Sequence, residues 1–279
     1  MPSLLNWGLA MAITALHAAA TGLRGLSTAI DVIANNLANA ETTAFKGSRV
    51  NFEDLFYQTQ KPPGATSGNG DISPAGIFVG LGTRISNTQL DLTEGSMEST
   101  GNNLDVGIQG SGFFRVKVLS TLGDGTAYTR NGQFFVNNQN QLVVGMGDGY
   151  LLDPPLTIPT GVSNIQISQD GIITGLKAGQ TTPSQLGQFQ LTQFVNPQGL
   201  QLLGGSLYQE TQASGPPILS NPGDQGAGTL LQNFLEASNV DPVTELVTLI
   251  KTQRAFELNS QSIQTADQAL QTITNLRRS

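Results

Sequence analysis

Asn239-Val240-Asp241-Pro242-Val243-Thr244-Glu245-Leu246-Val247-Thr248-Leu249-Ile250 opens the stretch that decides the fold. From Val243 to Ser279 there is neither glycine nor proline, in a chain of 279 residues that holds 33 Gly and 13 Pro. Asp241 can accept from the free N–H groups of a first helical turn, and Pro242 suits the first helical position, where no N–H is needed. Arg277 and Arg278 close the run with the charge that a helix C-terminus favours. Along it Leu246, Leu249, Gln253, Phe256, Ser260, Ile263, Asp267 and Leu270 recur at steps of three and four, and Ile250, Ala266 and Ile273 widen the stripe. The spacing predicts one long amphipathic helix with an imperfect coiled-coil seam.

The other end of the chain repeats the pattern. Leu16, Ala19, Leu23, Leu26, Ile30, Ile33, Leu37 and Ala40 follow the same steps, and between Ala12 and Glu41 the only interruptions are Gly22 and Gly25. A helix of roughly 30 residues would be about 45 Å long. The economical arrangement pairs the two helices with each other and leaves the middle as an inserted module; the alternative packs each separately on a globular core. From Val50 to Asn233 the sequence reads as β. Ala127 to Arg130, Asn131-Gly132 and Gln133 to Val136 carry a hairpin signature, and Ile165 to Ile167 and Ile172-Ile173 flank Asp170-Gly171 as another. Asp124-Gly125 and Asp148-Gly149 mark further turns. Lys61 to Gly80, with Pro62-Pro63-Gly64, Ser67-Gly68-Asn69-Gly70 and Pro74, is a flexible loop or an extended arm. The expected fold class is α+β: long N- and C-terminal helices pairing as a coiled coil, with an inserted antiparallel β-rich domain like a sandwich or barrel. The expected divisions are a helical segment at 1–45, a connecting arm at 46–80, the β-rich domain at 81–232 and the C-terminal helix at 233–279.

Composition excludes several functions. Charged residues make up 12% of the chain, about half the usual ~25%, while 25 Gln and 20 Asn supply uncharged hydrogen bonding. Thirteen basic residues against twenty acidic ones, net −7, do not make a nucleic-acid surface. The 38% hydrophobic content argues against disorder. With no cysteine there is no disulfide or thiol chemistry. No apolar run reaches the length of a membrane span. Leu4 to Ala20 resembles a signal-peptide core, but the first basic residue is Arg24, and Asn6, Thr14 and His17 break the stretch, so no cleaved signal is expected. Residues 1–50 carry three basic and two acidic side chains and residues 233–279 four and five, so the acidity sits in 51–232.

The search for chemistry is short. There is no His-Glu-x-x-His, no P-loop and no Gly-x-Ser-x-Gly. Gly110-Ser111-Gly112 leads into the strand-like Phe113 to Val116 rather than a helix, so it reads as a turn and not as a phosphate cradle. Asp124, Asp148, Asp153 and Asp170 lack EF-hand spacing, and turn chemistry accounts for them. His17, the single histidine, has no His, Cys or carboxylate within one helical turn. Glu53 and Asp54 point oppositely in an extended segment and do not form an acid/base pair. No catalytic residue, metal site or cofactor is expected. Asn35, Asn36 and Asn39 are poor helix formers that lie off the Leu23 to Leu37 seam. They serve either lateral contacts with other chains or fraying and capping before Glu41-Thr42-Thr43.

Several motifs in fixed order resemble the bacterial flagellar rod and hook proteins. They are Ala20-Thr21-Gly22-Leu23, Ile33-Ala34-Asn35-Asn36-Leu37-Ala38-Asn39, Thr42-Thr43-Ala44-Phe45-Lys46, Leu104 to Phe114, Tyr128-Thr129-Arg130-Asn131-Gly132, Leu235-Glu236-Ala237-Ser238-Asn239-Val240 and Gln253 to Ser260. Phe52 to Thr59 followed by Pro62-Pro63-Gly64 is most similar to distal-rod members; proximal rod and hook subunits are the nearest alternatives. The chain departs from the pattern at Ala44, where glycine is common, and Met1 to Met11 extend beyond the usual start.

The resemblance implies a structural subunit that polymerises into a helical tube, transmits torque to the hook and encloses an export channel. It implies a polymerisation seam of Leu16, Leu23, Leu26, Ile30, Ile33, Leu37, Leu246, Leu249, Phe256, Ile263 and Leu270, with lateral polar contacts from Asn35, Asn36, Asn39, Gln253 and Arg254. It implies packing of Gln58 to about Gly80 against neighbouring subunits. The implied partners are further copies of the chain, proximal rod proteins, the hook protein, ring (bushing) proteins and the flagellar type III export apparatus, in the periplasmic part of the basal body. A secreted β-rich binding module is a reading of a different class, which 6% aromatics support weakly. Helices that bury one stripe are marginal alone in water, so the termini are expected to be labile until assembly.

Overall fold

The computed structural model describes residues 2–64, 74–119, 125–145, 149–177, 179–180 and 182–278. Asp124, Asp148 and most of the proposed arm beyond Gly64 lie outside the described residues. The chain divides into two compact units. A helical unit takes residues 1–37, 48–89 and 241–279, and a β unit takes 38–47 and 90–240.

The helical unit holds α1 (Pro2–Ala38) and α2 (Pro242–Arg278), with β1 (Ser48–Asp54), β2 (Tyr57–Lys61), β3 (Ile77–Gly80) and β4 (Thr83–Leu90) between them in sequence. α2 starts as its cap requires. Val243 N–H donates to Asp241 Oδ1 at 3.0 Å and Thr244 Oγ1 donates to Asp241 Oδ2 at 2.6 Å. α1 reaches further toward the N-terminus than the apolar spacing indicates, since Pro2 again suits a first turn. The two helices pack together. A Cβ on Gly22 would lie 2.9 Å from Asn259 Nδ2, and Asn36 Nδ2 donates to Glu245 Oε1 at 3.3 Å. These contacts are fourteen residues apart on each helix and run in opposite directions along the chain, so the helices are antiparallel over about 21 Å. β1 pairs with β4 and β2 with β3, as two-stranded ribbons. Exposed amides lace the first ribbon: Asn51 Nδ2 donates to Asn87 Oδ1 at 2.7 Å and Arg49 to Gln89 Oε1.

The β unit is built on a seven-stranded antiparallel sheet of β7 (Phe114–Lys117), β8 (Thr126–Thr129), β9 (Phe134–Val136), β10 (Leu142–Val144), β11 (Tyr150–Leu152), β16 (Gln201–Gly204) and β17 (Leu207–Gln209). Its order is β16-β17-β8-β7-β11-β10-β9. A three-stranded sheet joins β12 (Val162–Ile167), β13 (Ile172–Lys177) and β14 (Ser184–Gln188). Short ribbons pair β15 (Leu191–Gln193) with β18 (Ile218–Ser220), β19 (Thr229–Gln232) with β6 (Val106–Gln109), and β20 (Phe234–Glu236) with β5 (Met97–Ser99). The main core contains Ile108, Phe114, Phe134, Ile173, Phe189 and Leu230. Its three rings meet at centroid distances of 5.1, 5.2 and 5.8 Å, each contact contributing about 0.5–1.5 kcal/mol beyond area burial. A second cluster gathers Phe113, Tyr128, Phe194 and Tyr208.

The hairpin expected around Asp170-Gly171 is present as β12 and β13. The one expected around Asn131-Gly132 is not: β8 and β9 are separated by β7, β11 and β10. Asn131 Oδ1 accepts from Gln133 N–H in an Asx turn, Gly132 O accepts from Val106 N–H, and a Cβ on Gly132 would collide with the Val106 carbonyl. The dipeptide therefore crosses beneath the start of β6 instead of closing a two-residue turn.

Candidate functional site

Small residues decide what α1 can touch. Gly22 admits Asn259 of α2, and Gly25 faces the ring of Phe52, whose Cε1 would lie 2.6 Å from any Cβ there. Gly82, at φ +111°, sits against Thr21 Oγ1 and the Ala18 backbone. Thr83 N–H donates to Thr21 Oγ1 at 3.3 Å, and His17 Nδ1 lies 3.3 Å from Leu81 O. Thr21-Gly22 and Gly25 are thus the places where α2 and the root of the β ribbons approach α1.

Asn36 closes this unit. Buried to 3% exposure, its Nδ2 donates to Ser48 O at 2.8 Å and to Glu245, while its Oδ1 accepts from Ser48 N–H at 2.9 Å. One amide reads both backbone groups of the first residue of β1 and a side chain of α2. That bidentate use requires an amide, since a carboxylate cannot donate.

Inside the β unit, the residues that follow α1 in sequence and those that precede α2 are bound to each other. Ala44 N–H donates to Glu236 O at 2.8 Å and Asn239 N–H to Phe45 O at 3.3 Å. Asn239 Oδ1 accepts from Gly47 N–H at 2.8 Å, and its Nδ2 donates to Asp91 O and Thr93 O. Beneath them lies a buried ion network. Lys46 and Glu236 side chains are 0% exposed and Arg130 is 5% exposed. Glu236 accepts from Lys46 Nζ at 2.6 Å, Arg130 Nε at 2.7 Å and Gly95 N–H at 3.0 Å. Lys46 Nζ also donates to Thr93 O at 2.5 Å. Arg130 donates onward to Gly110 O, Gly112 O and Ile108 O. This glycine turn presents the carbonyls of Gly110 and Gly112 to Arg130, while the Gly110 N–H donates to Glu94 Oε2 at 3.1 Å. Burial alone would raise the Glu236 carboxyl, but Arg130 and Lys46 outweigh it and hold it below the usual range. Burial pushes the Lys46 ammonium below its usual value against the pull of Glu236.

The residues singled out from sequence fall in different places. Ile33 is buried; Leu16, Leu23, Leu26, Ile30 and Leu37 are half-buried on α1, as are Leu249, Ile263 and Leu270 on α2. Leu246 and Phe256 are exposed, and so are Gln253 and Arg254, the latter 2.9 Å from Glu257. Asn35 is exposed and Asn39 half-buried. The side chain of Asn36 is engaged within the chain. Asp153 pairs with Arg115 at 2.8 Å and Glu53 with Arg84. The network of Lys46, Arg130 and Glu236 was missed. Its signal was present, because each of its charges sits in one of the motifs quoted above.

Three parts of the chain match described families. Residues 16–46 match "Flagella basal body rod protein", residues 107–175 match "Flagellar hook protein FlgE/F/G D1 domain", and residues 231–276 match "Flagellar basal body rod FlgEFG protein C-terminal". The chain is 45% identical over 265 residues to the flagellar basal-body rod protein FlgG of Buchnera aphidicola subsp. Baizongia pistaciae, covering 95% of this chain and 100% of that one. It is 43% identical to FlgG of Caulobacter vibrioides over 94% of this chain and 99% of the relative. It is 38% identical to FlgG of Bacillus subtilis over 95% and 100%.

Proposed function

The chain belongs to the flagellar basal-body rod protein family, and from that premise we infer how it works, as one repeating segment of a helical tube. It is a structural subunit of the distal rod and not an enzyme, and it belongs to the flagellar basal body. The tube carries torque to the hook and encloses the channel through which other subunits pass. α1 and α2 pair as a coiled coil around that channel, and the β unit closes as a sandwich-like outer domain. Copies of the chain contact one another through the seam of Leu16, Leu23, Leu26, Ile30, Ile33, Leu37, Leu246, Leu249, Phe256, Ile263 and Leu270, with Asn35, Asn39, Gln253 and Arg254 at the sides. Proximal rod proteins and the hook protein adjoin the tube, ring proteins surround it in the periplasm, and the type III export apparatus delivers its subunits without a cleaved signal.

The observation that supports polymerisation is that α2 keeps Val243, Leu246, Val247, Ile250 and Leu258 between 45 and 69% exposed. A lone soluble subunit has no use for such a face. Imaging basal bodies from cells that carry this chain as their single distal-rod subunit tests the reading. The expected result is its density as repeating subunits between proximal rod and hook; rods built without it would refute the proposal.

A further inference from the structure

The chain passes between the helical unit and the β unit at 37/38, 47/48, 89/90 and 240/241. Three segments of the β unit make these crossings: 38–47, the stretch that starts at Leu90 and the stretch that ends at Val240. Asn239 ties all three together. Its N–H donates to Phe45 O at 3.3 Å, and its Oδ1 accepts from Gly47 N–H at 2.8 Å. Its Nδ2 donates to Asp91 O at 2.9 Å and to Thr93 O at 3.2 Å. Asp91 N–H completes the node by donating to Gly47 O at 2.7 Å.

The order of these bonds gives the node a mechanical direction. Ala44 N–H donates to Glu236 O at 2.8 Å, and three residues further along each segment Gly47 donates to Asn239. The two segments therefore run parallel. α1 ends at Ala38, ahead of the first segment, and α2 begins at Pro242, after the second. Drawing Ala38 and Pro242 apart pulls the first segment by its N-terminal end and the second by its C-terminal end. Parallel segments pulled in this way are sheared past each other, and their bonds resist together. Antiparallel segments pulled by those ends would open one bond at a time. Glu236 adds charge-assisted bonds to the same pair. It accepts from Lys46 Nζ of the first segment at 2.6 Å and from Arg130 Nε at 2.7 Å, and Arg130 is bonded in turn to Ile108 O of β6. We propose that Asn239 and the Lys46–Glu236 pair form a mechanical clamp, which keeps the β unit folded when α1 and α2 are drawn apart. Its use rests on the rod-subunit reading, because a subunit that carries torque is strained through its helices.

Tension on the full-length chain tests this. The chain has no cysteine, so paired substitutions fix where the handles attach. Ala38→Cys with Val243→Cys draws across the clamp. Gln139→Cys with Gln212→Cys draws across the seven-stranded sheet and leaves the clamp outside the stretch under tension. All four positions are exposed. Lifetime at constant force reads the unfolding rate, and the parent is expected to last about tenfold longer across the clamp than across the sheet. Asn239→Ala is expected to shorten the first lifetime about tenfold and the second less than about twofold. Asn239→Asp keeps the acceptor and loses both side-chain donors, so it is expected to fall between the parent and Asn239→Ala. Equal lifetimes of the parent in the two directions, or a variant that shortens both alike or neither, would overturn the clamp. The measurement needs no flagellum, so such a failure leaves the rod-subunit reading standing; absence of the chain from basal bodies would refute that reading alone.

Discussion

Glu236 accepts from Lys46, Arg130 and the Gly95 N–H out of reach of water, so removing its carboxylate leaves two cations buried without a counter-charge. Glu236→Ala is therefore expected to cost about 3–5 kcal/mol, the range for breaking a buried pair by deleting one partner. Urea unfolding of the full chain measures it, as a lower midpoint at unchanged slope. The pH dependence follows from the sign of the shift. Glu236 lies below its ordinary value in the folded chain, so its contribution is fully present above the unfolded value of about 4.3 and is lost as pH falls through the folded value. Stability measured from pH 7 down to 3 is expected to show this acid loss in the parent and a smaller one in Glu236→Gln. Lys46, Arg130 and Glu236 each stand in one of the quoted motifs, but their separations of 190 and 106 residues leave no local signature that joins them. A charge in a sequence also reads as a surface residue unless its partner is known.

Among the elements, what is decided locally was legible. The start of α2 follows from Asp241-Pro242, whose capping bonds span three residues. Asp241→Ala is expected to speed amide hydrogen exchange in Val243 to Glu245 and leave the middle of α2 unchanged. The phase of the helix contact was harder to read. The apolar residues of α2 fit several seams, and the one that meets α1 passes through Glu245, bonded by the amide of Asn36, and Asn259, beside Gly22. Gly22 and Gly25 of α1 look like defects in a propensity count, yet both are points of close approach. Gly82 is the strictest position of this kind, with a left-handed φ and the Ala18 backbone against it. Gly82→Ala is expected to destabilise the ribbon root by about 1–3 kcal/mol, read as faster exchange of the Leu55 and Thr83 amides. Gly22→Ala, which meets only the end of the Asn259 side chain, is expected to change little.

Over the whole molecule, burial and charge divide along the same line. Of the buried apolar residues among those described, only Ala29 and Ile33 belong to the helical unit; the rest are in the β unit. The helical unit carries eight basic and eight acidic residues and is neutral, while the β unit carries five and twelve and holds the entire −7. The scarcity of charge and the wealth of amides were legible from composition, but their allocation needed the fold. The ribbons of 48–89 belong with the neutral helices, which no local pattern in Lys61 to Gly80 discloses. A unit without net charge meets its own copies without repulsion, and one with so few buried apolar groups has little to hold it in isolation. In the dilute monomer, α1 and α2 are therefore expected to exchange their amides within seconds to minutes, while Ile108, Phe114 and Leu230 stay protected at least a hundredfold longer. Hydrogen exchange with mass detection reads both units in one sample. On assembly the helical peptides are expected to gain protection and the β peptides to change little. Equal protection of both units in the monomer would mean that the helices need no neighbours, and the exposed faces of α2 would then require another explanation.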